Sequence, residues 1–207
     1  MLRLHRFLPF TRAEGPGNRA CLWVQGCPIR CPGCFNPGTW PKNGGYEAAV
    51  EEMETRILNV SNIEGVTFLG GEPFEQAEAL ADLGRRMRRV GLSVMTFTGY
   101  VLEDILKSSR QGWHDLLDVT DLLLDGPYIR DLTDTGRLWV GSSNQRYHFL
   151  TPRYRHLEAE LGDIPNRLEI RLQPDGKIYI NGLAASEMLS GVVGDVAERI
   201  TKPSDLP

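Results

Sequence analysis

GVTFLGGEPFEQAEALADLGRRMRRVGLSVMTF, residues 65–97, contains the plan of the fold. Gly65 to Leu69 is a short, mostly apolar run closing on Gly70-Gly71, which reads as a strand ending in a turn. Phe74 to Val90 brings Ala77, Leu80, Ala81, Leu83, Met87 and Val90 toward one side at helical spacing; Gly91 stops it, and Leu92 to Phe97 is apolar again. Strand, helix and strand in so short a stretch predict parallel strands joined by a right-handed helical crossover.

The alternation extends both ways. Upstream, Ala20 to Gln25 reads as a first strand, and Tyr46 to Val60, with Ala49, Met53, Ile57 and Val60, as a helix. Downstream, Val101 to Ser108 reads as a short helix and Thr120 to Leu124 as a strand ending in Asp125-Gly126-Pro127. An α/β fold with a mostly parallel sheet follows, and such sheets bind ligands at the carboxyl ends of their strands. The cysteine loop, Gly70 to Pro73, Thr98 to Tyr100 and Asp125 to Tyr128 all fall at that edge. After Gly136 the pattern changes to a polar loop, a helix around Tyr154 to Leu161, and Arg167 to Leu172 and Lys177 to Ile180 flanking the turn Pro174-Asp175-Gly176. The tail from Thr201 to Pro207 is expected to fray.

The 207 residues are 41% hydrophobic and 24% charged, which suits one soluble domain. Met1 to Phe10 carries Arg3, His5 and Arg6 and lacks the apolar core of an export signal, and no window approaches the ~20 apolar residues that span a bilayer. A net charge of −4 argues against binding nucleic acid through its phosphates. The cysteines, Cys21, Cys27, Cys31 and Cys34, are too close together to staple a secreted fold, so they read as metal ligands in a reducing, cytoplasmic compartment.

Cys27-Pro-Ile-Arg-Cys31-Pro-Gly-Cys34 offers three thiolates in one loop. A structural zinc ion would need a fourth ligand, Cys21 or a distant histidine, whereas an iron–sulfur cube held by three cysteines keeps one iron open. Cys21, on the first predicted strand, reads as a small core residue. His5, His114, His148 and His156 are scattered and read as surface or capped histidines. The run Arg85, Arg86, Arg88 and Arg89 reads as a solvated helix face, with a dock for an acidic electron donor as the alternative.

The cysteine triad, a helix and strand, and then Gly70-Gly71-Glu72-Pro73 resemble the radical S-adenosylmethionine (SAM) superfamily in order and separation. Gly15-Pro-Gly-Asn-Arg19, Cys31-Pro-Gly-Cys-Phe-Asn36, Thr98-Gly-Tyr100 and Gly141-Ser-Ser-Asn-Gln-Arg146 are similar to the activating proteins of anaerobic ribonucleotide reductase, over about Gly15 to His148. Gly33 before the third cysteine fits that subfamily; Phe35, where Tyr or His is common, and about sixty further residues depart from it.

The resemblance implies a partial (β/α) barrel, residues 1–207 as one radical SAM domain with a core of about 15–148 and a helix-and-hairpin extension from about 149. It implies a [4Fe-4S] cluster on Cys27, Cys31 and Cys34, with SAM chelating the open iron. Gly70, Gly71, Glu72 and Pro73 would receive SAM's ammonium, Gly33, Phe35 and Asn36 would border its adenosyl end, and Thr98 and Asp125 the ribose or sulfonium. Asn144, Gln145 and Arg146 read equally as site contacts or loop-fixing residues. A reduced cluster would split SAM to a 5′-deoxyadenosyl radical that takes hydrogen from a glycine of a large partner, with electrons from a flavodoxin or ferredoxin. The alternatives are a radical SAM enzyme of the deazaguanine type acting on a small molecule or peptide, and a non-catalytic iron–sulfur or zinc protein.

Overall fold

The computed structural model describes residues 1–161, 164, 166–172 and 178–183. The predicted turn Pro174-Asp175-Gly176, Lys177 beside it and the tail Thr201 to Pro207 lie outside the described residues. The elements run β1 (Leu2–Thr11), β2 (Arg19–Val24), β3 (Tyr46–Ala48), α1 (Val50–Leu58), β4 (Gly65–Gly70), α2 (Ala77–Arg89), β5 (Ser93–Phe97), α3 (Leu102–Lys107), α4 (Gln111–Val119), β6 (Leu122–Asp125), β7 (Arg146–Phe149), β8 (Leu168–Leu172) and β9 (Ile178–Gly182).

A seven-stranded sheet has the order β3-β1-β2-β4-β5-β6-β7. Strands β2, β4, β5 and β6 are parallel, as the alternation predicts, and β1, β3 and β7 add antiparallel edges. Among the described residues the sheet stays open, since its edge strands β3 and β7 do not pair with each other, and no closed barrel is formed. Strands β8 and β9 make a separate antiparallel hairpin.

Strand β1, Leu2–Thr11, is an element that the sequence pattern does not announce. Two local readings need correction. Tyr46 to Ala48 pairs with β1 as β3, so the helix begins only at Val50. The segment at Tyr154 is a 3-10 helix, Pro152–Ala159, opened by Pro152 and capped by the Thr151 hydroxyl, rather than an α-helix.

Strand parity sorts the side chains. Leu22, Val66, Phe68, Val94 and Leu123 face α1, α2 and α4, where Met53, Ile57, Leu80, Leu83, Met87 and Leu116 complete the main core. Met95, Leu122 and Leu124 face the other way, against Leu138, Trp139, Val140 and Tyr154. Each fully buried Leu or Met of α2 contributes roughly 1.5–3 kcal/mol, against about 0–1 kcal/mol for an exposed ion pair. Packing therefore holds α2. Its arginines are knitted into the surface: Arg86 pairs with Glu51, Glu54 and Asp82 at 2.8, 2.8 and 3.1 Å, and Arg88 donates to the Asp118 carbonyl at 2.9 Å.

The motif from Gly15 to Arg19 lies at the amino end of the parallel strands, away from the cysteines. Arg19 is fully buried there; its guanidinium donates to Thr67 Oγ1 at 2.7 Å, Ser93 Oγ at 2.9 Å and Tyr154 Oη at 3.1 Å. Among the described residues no helix is long and apolar enough to cross a membrane.

Candidate functional site

The cysteine loop leaves β2 and folds back over the end of β4. Gly71 N–H donates to the Val24 carbonyl at 2.8 Å and Glu72 N–H to the Gly26 carbonyl at 2.9 Å. This approach requires the two glycines: Gly70 has φ +106°, and a Cβ on Gly71 would stand 2.4 Å from the Gly26 carbonyl oxygen. The motif's N–H groups at 71 and 72 are consumed here, so it has carbonyl oxygens and the Glu72 carboxylate to offer an ammonium.

Cys27, Cys31 and Cys34 are half-buried, whereas Cys21 is fully buried in β2 beside Trp23 and Leu69. The three loop thiols line one cavity of about 150 Å³, shared with Gly70 to Pro73, Phe97 to Gly99, Tyr128 and Gln145. Backbone N–H groups serve the sulfurs: those of Ile29 and Arg30 point at Cys27, that of Tyr128 at Cys31, and that of Asn36 at Cys34 Sγ, 3.4 Å away. Burial raises the Cys27 and Cys31 pKa values, and these N–H groups oppose the rise by favouring thiolate. Among the described residues, no three His, Cys, Asp or Glu side chains are gathered as the ligands of a single metal ion. Three separated thiols with N–H donors suit a cube, in which each thiolate takes a different iron.

Glu72 is 1% exposed. Its Oε1 accepts from Phe74 N–H at 3.0 Å and Thr98 Oγ1 at 2.8 Å, and its Oε2 from Gly99 N–H at 2.9 Å. Burial pushes its pKa up to about 7, held back by the Gly99 and Phe74 N–H groups and the Thr98 hydroxyl. All of these donors are neutral. A cationic ligand beside Glu72 would supply the charge it lacks.

Other expected residues separate. Phe35 is exposed and packs on Tyr128, ring centroids 5.1 Å apart. Phe35 and Asn36 line a second cavity of about 380 Å³ that shares Cys31, Cys34, Gly70, Phe97, Tyr128 and Gln145 with the first. Gly33, at φ +83°, faces outward, where a Cβ would meet Arg130 Nε at 2.7 Å. Asp125 does not face the thiol cavity. It shares the helix-side parity of Leu123, and its carboxylate accepts from Arg146 Nε at 3.0 Å and Leu102 N–H at 2.7 Å, with His148 Nε2 at 3.0 Å. Burial alone would raise its pKa, but Arg146, the Leu102 N–H and His148 together hold it below the usual carboxylate range.

Gln145, which lines both cavities, and Asn144 fix their loop by hydrogen bonds. Gln145 Oε1 accepts from Gly141 N–H at 2.7 Å while its Nε2 donates to the Gly126 carbonyl at 3.0 Å, and Asn144 Nδ2 donates to the Pro127 carbonyl at 2.8 Å. His5 is held by Gln25 at 3.0 Å and His114 by the Ser108 carbonyl at 2.7 Å. Tyr128, the last residue of the expected Asp125-to-Tyr128 segment, lines both cavities, while Trp139, Glu14 and Asn181, which the sequence does not mark, line the second. No side-chain pattern marks them: Trp139 adopts φ +64°, which sequence does not announce for a tryptophan. A larger cleft of about 730 Å³ opens between the first turns of α2 and α4, but it contains no thiol, so chemistry rather than size assigns the site.

An open α/β sheet with a three-cysteine loop and a Gly-Gly-Glu turn at the carboxyl ends of its strands defines a radical SAM protein. Residues 13–148 match the family of 4Fe-4S single cluster domains. The chain belongs to this family, as a radical SAM enzyme of the activating type whose cofactors are a [4Fe-4S] cluster and SAM. It is 34% identical over 159 residues to the anaerobic ribonucleoside-triphosphate reductase-activating protein of Salmonella typhimurium, covering 72% of this chain and 99% of the relative. The protein of the same name from Escherichia coli K12 is 32% identical over 158 residues, with the same coverage. The pyruvate formate-lyase-activating enzyme of Clostridium pasteurianum is 33% identical over 138 residues, 63% of this chain and 55% of that one.

Proposed function

We propose that this chain activates a glycyl-radical enzyme of the anaerobic ribonucleotide reductase type, with Cys27, Cys31 and Cys34 holding the cluster. When bound there, the cluster would supply the one electron that splits SAM into methionine and a 5′-deoxyadenosyl radical able to take a hydrogen atom from a glycine of the partner. The chain's own residues bind, orient and exclude water. Glu72 and the carbonyls of Gly70 and Gly71 receive the ammonium of SAM, with Pro73 fixing the turn behind them. Thr98 and Gly99, anchored on Glu72, border the bound SAM; Phe35 and Asn36 flank its adenosyl end, and Gly33 shapes the loop that carries them. Asp125 supports the site from behind, by tying β6 to α3 and β7. The open sheet serves as a partial barrel within a single domain, and the reducing cytoplasm, with flavodoxin or ferredoxin as donor, suits the half-buried thiols.

The observation that carries this reading is the shared cavity of the three thiols and the Gly-Gly-Glu turn. Anaerobically reconstituted protein should bind about four irons, the content of one cube. Cys27→Ala, Cys31→Ala and Cys34→Ala should lose the cluster and Cys21→Ala keep it. Dithionite-reduced protein with SAM should form 5′-deoxyadenosine, and adding a glycyl-radical reductase subunit from the same organism should give a glycyl radical by electron paramagnetic resonance. Deoxyadenosine without a glycyl radical on any such protein of the genome would leave the small-molecule reading.

A further inference from the structure

The family match ends at residue 148, yet the chain beyond it is fastened to the sheet at successive points. Asn166 Oδ1 accepts the Trp139 N–H at 2.9 Å, and its Nδ2 donates to the carbonyls of Thr135 and Arg137 at 2.8 and 2.6 Å, which braces Trp139 in its left-handed conformation. Glu169 accepts from the Thr11 hydroxyl at 2.6 Å and Arg12 N–H at 2.7 Å. Gly182 N–H donates to Glu14 Oε1 at 2.9 Å. Ile180 to Leu183 thereby become one wall of the 380 Å³ cavity that reaches Cys31 and Cys34.

Asn181, in that wall, is 5% exposed. Its Nδ2 donates to Thr11 Oγ1 at 2.8 Å. Thr11 gives its own proton to Glu169, so the hydroxyl can only accept from Asn181, and this fixes the orientation of the amide. The other end, Oδ1, is buried and has no hydrogen-bond partner among the described residues. An orphaned buried acceptor is costly and calls for a donor.

The hairpin register pairs Leu168 with Gly182 and Ile170 with Ile180. Gly182 N–H points away from β8, toward Glu14, and the alternation of an antiparallel ladder turns the N–H and C=O of Ile180 the same way. An orphan amide oxygen, a carboxyl and a strand edge thus follow one another along β9. Groups strung out at strand spacing match the repeating amides of an extended chain; a compact heterocycle asks for groups converging on one point.

We propose that the β9 edge, with Asn181 and Glu14, is a subsite for the main chain of an extended peptide segment of the protein substrate, Asn181 Oδ1 accepting one of its amide N–H groups. This rests on the reading that the substrate is a protein. The extension is then a specificity wall that the family core lacks.

The test is anaerobic calorimetry on the full, cluster-loaded chain with SAM, titrated with a capped heptapeptide of alanines around a central glycine. Wild type should bind it, Asn181→Leu should bind at least about tenfold more weakly, and N-methylation of one peptide amide should reproduce that loss without altering the protein. No binding by wild type, or equal binding by wild type, Asn181→Leu and the N-methylated peptides, overturns the subsite. Peptide binding without a glycyl radical on any partner overturns the activating function and leaves the subsite standing. A glycyl radical formed with the same KM for the partner in wild type and Asn181→Leu does the reverse.

Discussion

Glu72 and Thr98 join the ends of two neighbouring parallel strands: Glu72 Oε1, just past β4, accepts the hydroxyl of Thr98, just past β5, at 2.8 Å. The same carboxylate takes Gly99 N–H, so one buried charge sets both the Gly-Gly-Glu turn and the Thr98-Gly99 turn. The two segments look independent in sequence and are one unit in space.

Removing that carboxylate should therefore weaken SAM binding in two ways, by loss of the ammonium's counter-charge and by loosening of the Thr98 turn. Glu72→Ala should keep the visible absorption of the reconstituted cluster but bind SAM at least about tenfold more weakly, about 1.4 kcal/mol or more. Thr98→Val, which leaves the charge in place, should lose less. Equal SAM affinity in wild type and cluster-loaded Glu72→Ala, by equilibrium dialysis, would reduce the motif to a turn.

Much of this was legible because it is local. Three cysteines in one loop, two glycines that must approach another backbone, and strand–helix alternation from Gly65 to Phe97 all carry their reasons within a few residues. What was not legible depends on partners distant in the chain. Leu2–Thr11 is a strand because β2 and β3 flank it, and its mixed burial hides the alternation. Gln111–Val119 was not read as a helix; Trp113 and Leu116 are its buried face, and Gly112 lets it pack against Glu78 of α2. Asp125 lies at the expected strand end, but its parity with Leu123 turns it to the helix side, where Leu102 and Arg146 hold it. Asn181 depends on Thr11, 170 positions away.

Gly33 illustrates a local constraint with a distant cause. Gly33→Ala must hold a side chain at φ +83° and push Arg130 aside. It should lower stability by about 1 kcal/mol or more and reduce cluster loading. Adding Arg130→Ala removes the collision but not the backbone strain, so recovery of iron content should be partial. Full recovery would show that strain is unimportant, and none that Arg130 is.

Glu72 also gives the cluster-free protein a pH signature. Its folded pKa of about 7 lies above the ordinary carboxylate value of 4.5, so the protonated form is favoured in the fold. Its contribution to stability is complete below pH about 4.5 and is lost as pH rises through about 7, by at most about 3 kcal/mol at 1.36 kcal/mol per pKa unit. Urea unfolding at pH 5 and pH 7.5 should show wild type losing more stability across this window than Glu72→Gln. Parallel losses in the two proteins would place the carboxylate in a far better solvated state than its burial implies.

Tyr154 tests whether the extension is part of the folded unit or an appendage. Its hydroxyl donates to Glu64 Oε1 at 2.6 Å and lies 2.6 Å from Ser93 Oγ and 3.1 Å from Arg19 Nη1, at the end of the sheet opposite the thiols. Arg19 is fully buried, so whatever it loses is not replaced by water. Tyr154→Phe keeps the ring and removes the oxygen, leaving Glu64, Ser93 and Arg19 each short of a partner, which should cost about 1–3 kcal/mol. Because this network is remote from the cysteine loop, iron content and SAM affinity should stay at wild-type values while the thermal midpoint falls by several degrees. A fall in iron content together with the midpoint would mean that the two ends of the sheet are coupled. An unchanged midpoint would mean that residues after 148 ride on the sheet without stabilising it, and Asn166 and Glu169 would then have to hold the wall of the second cavity without help from Tyr154.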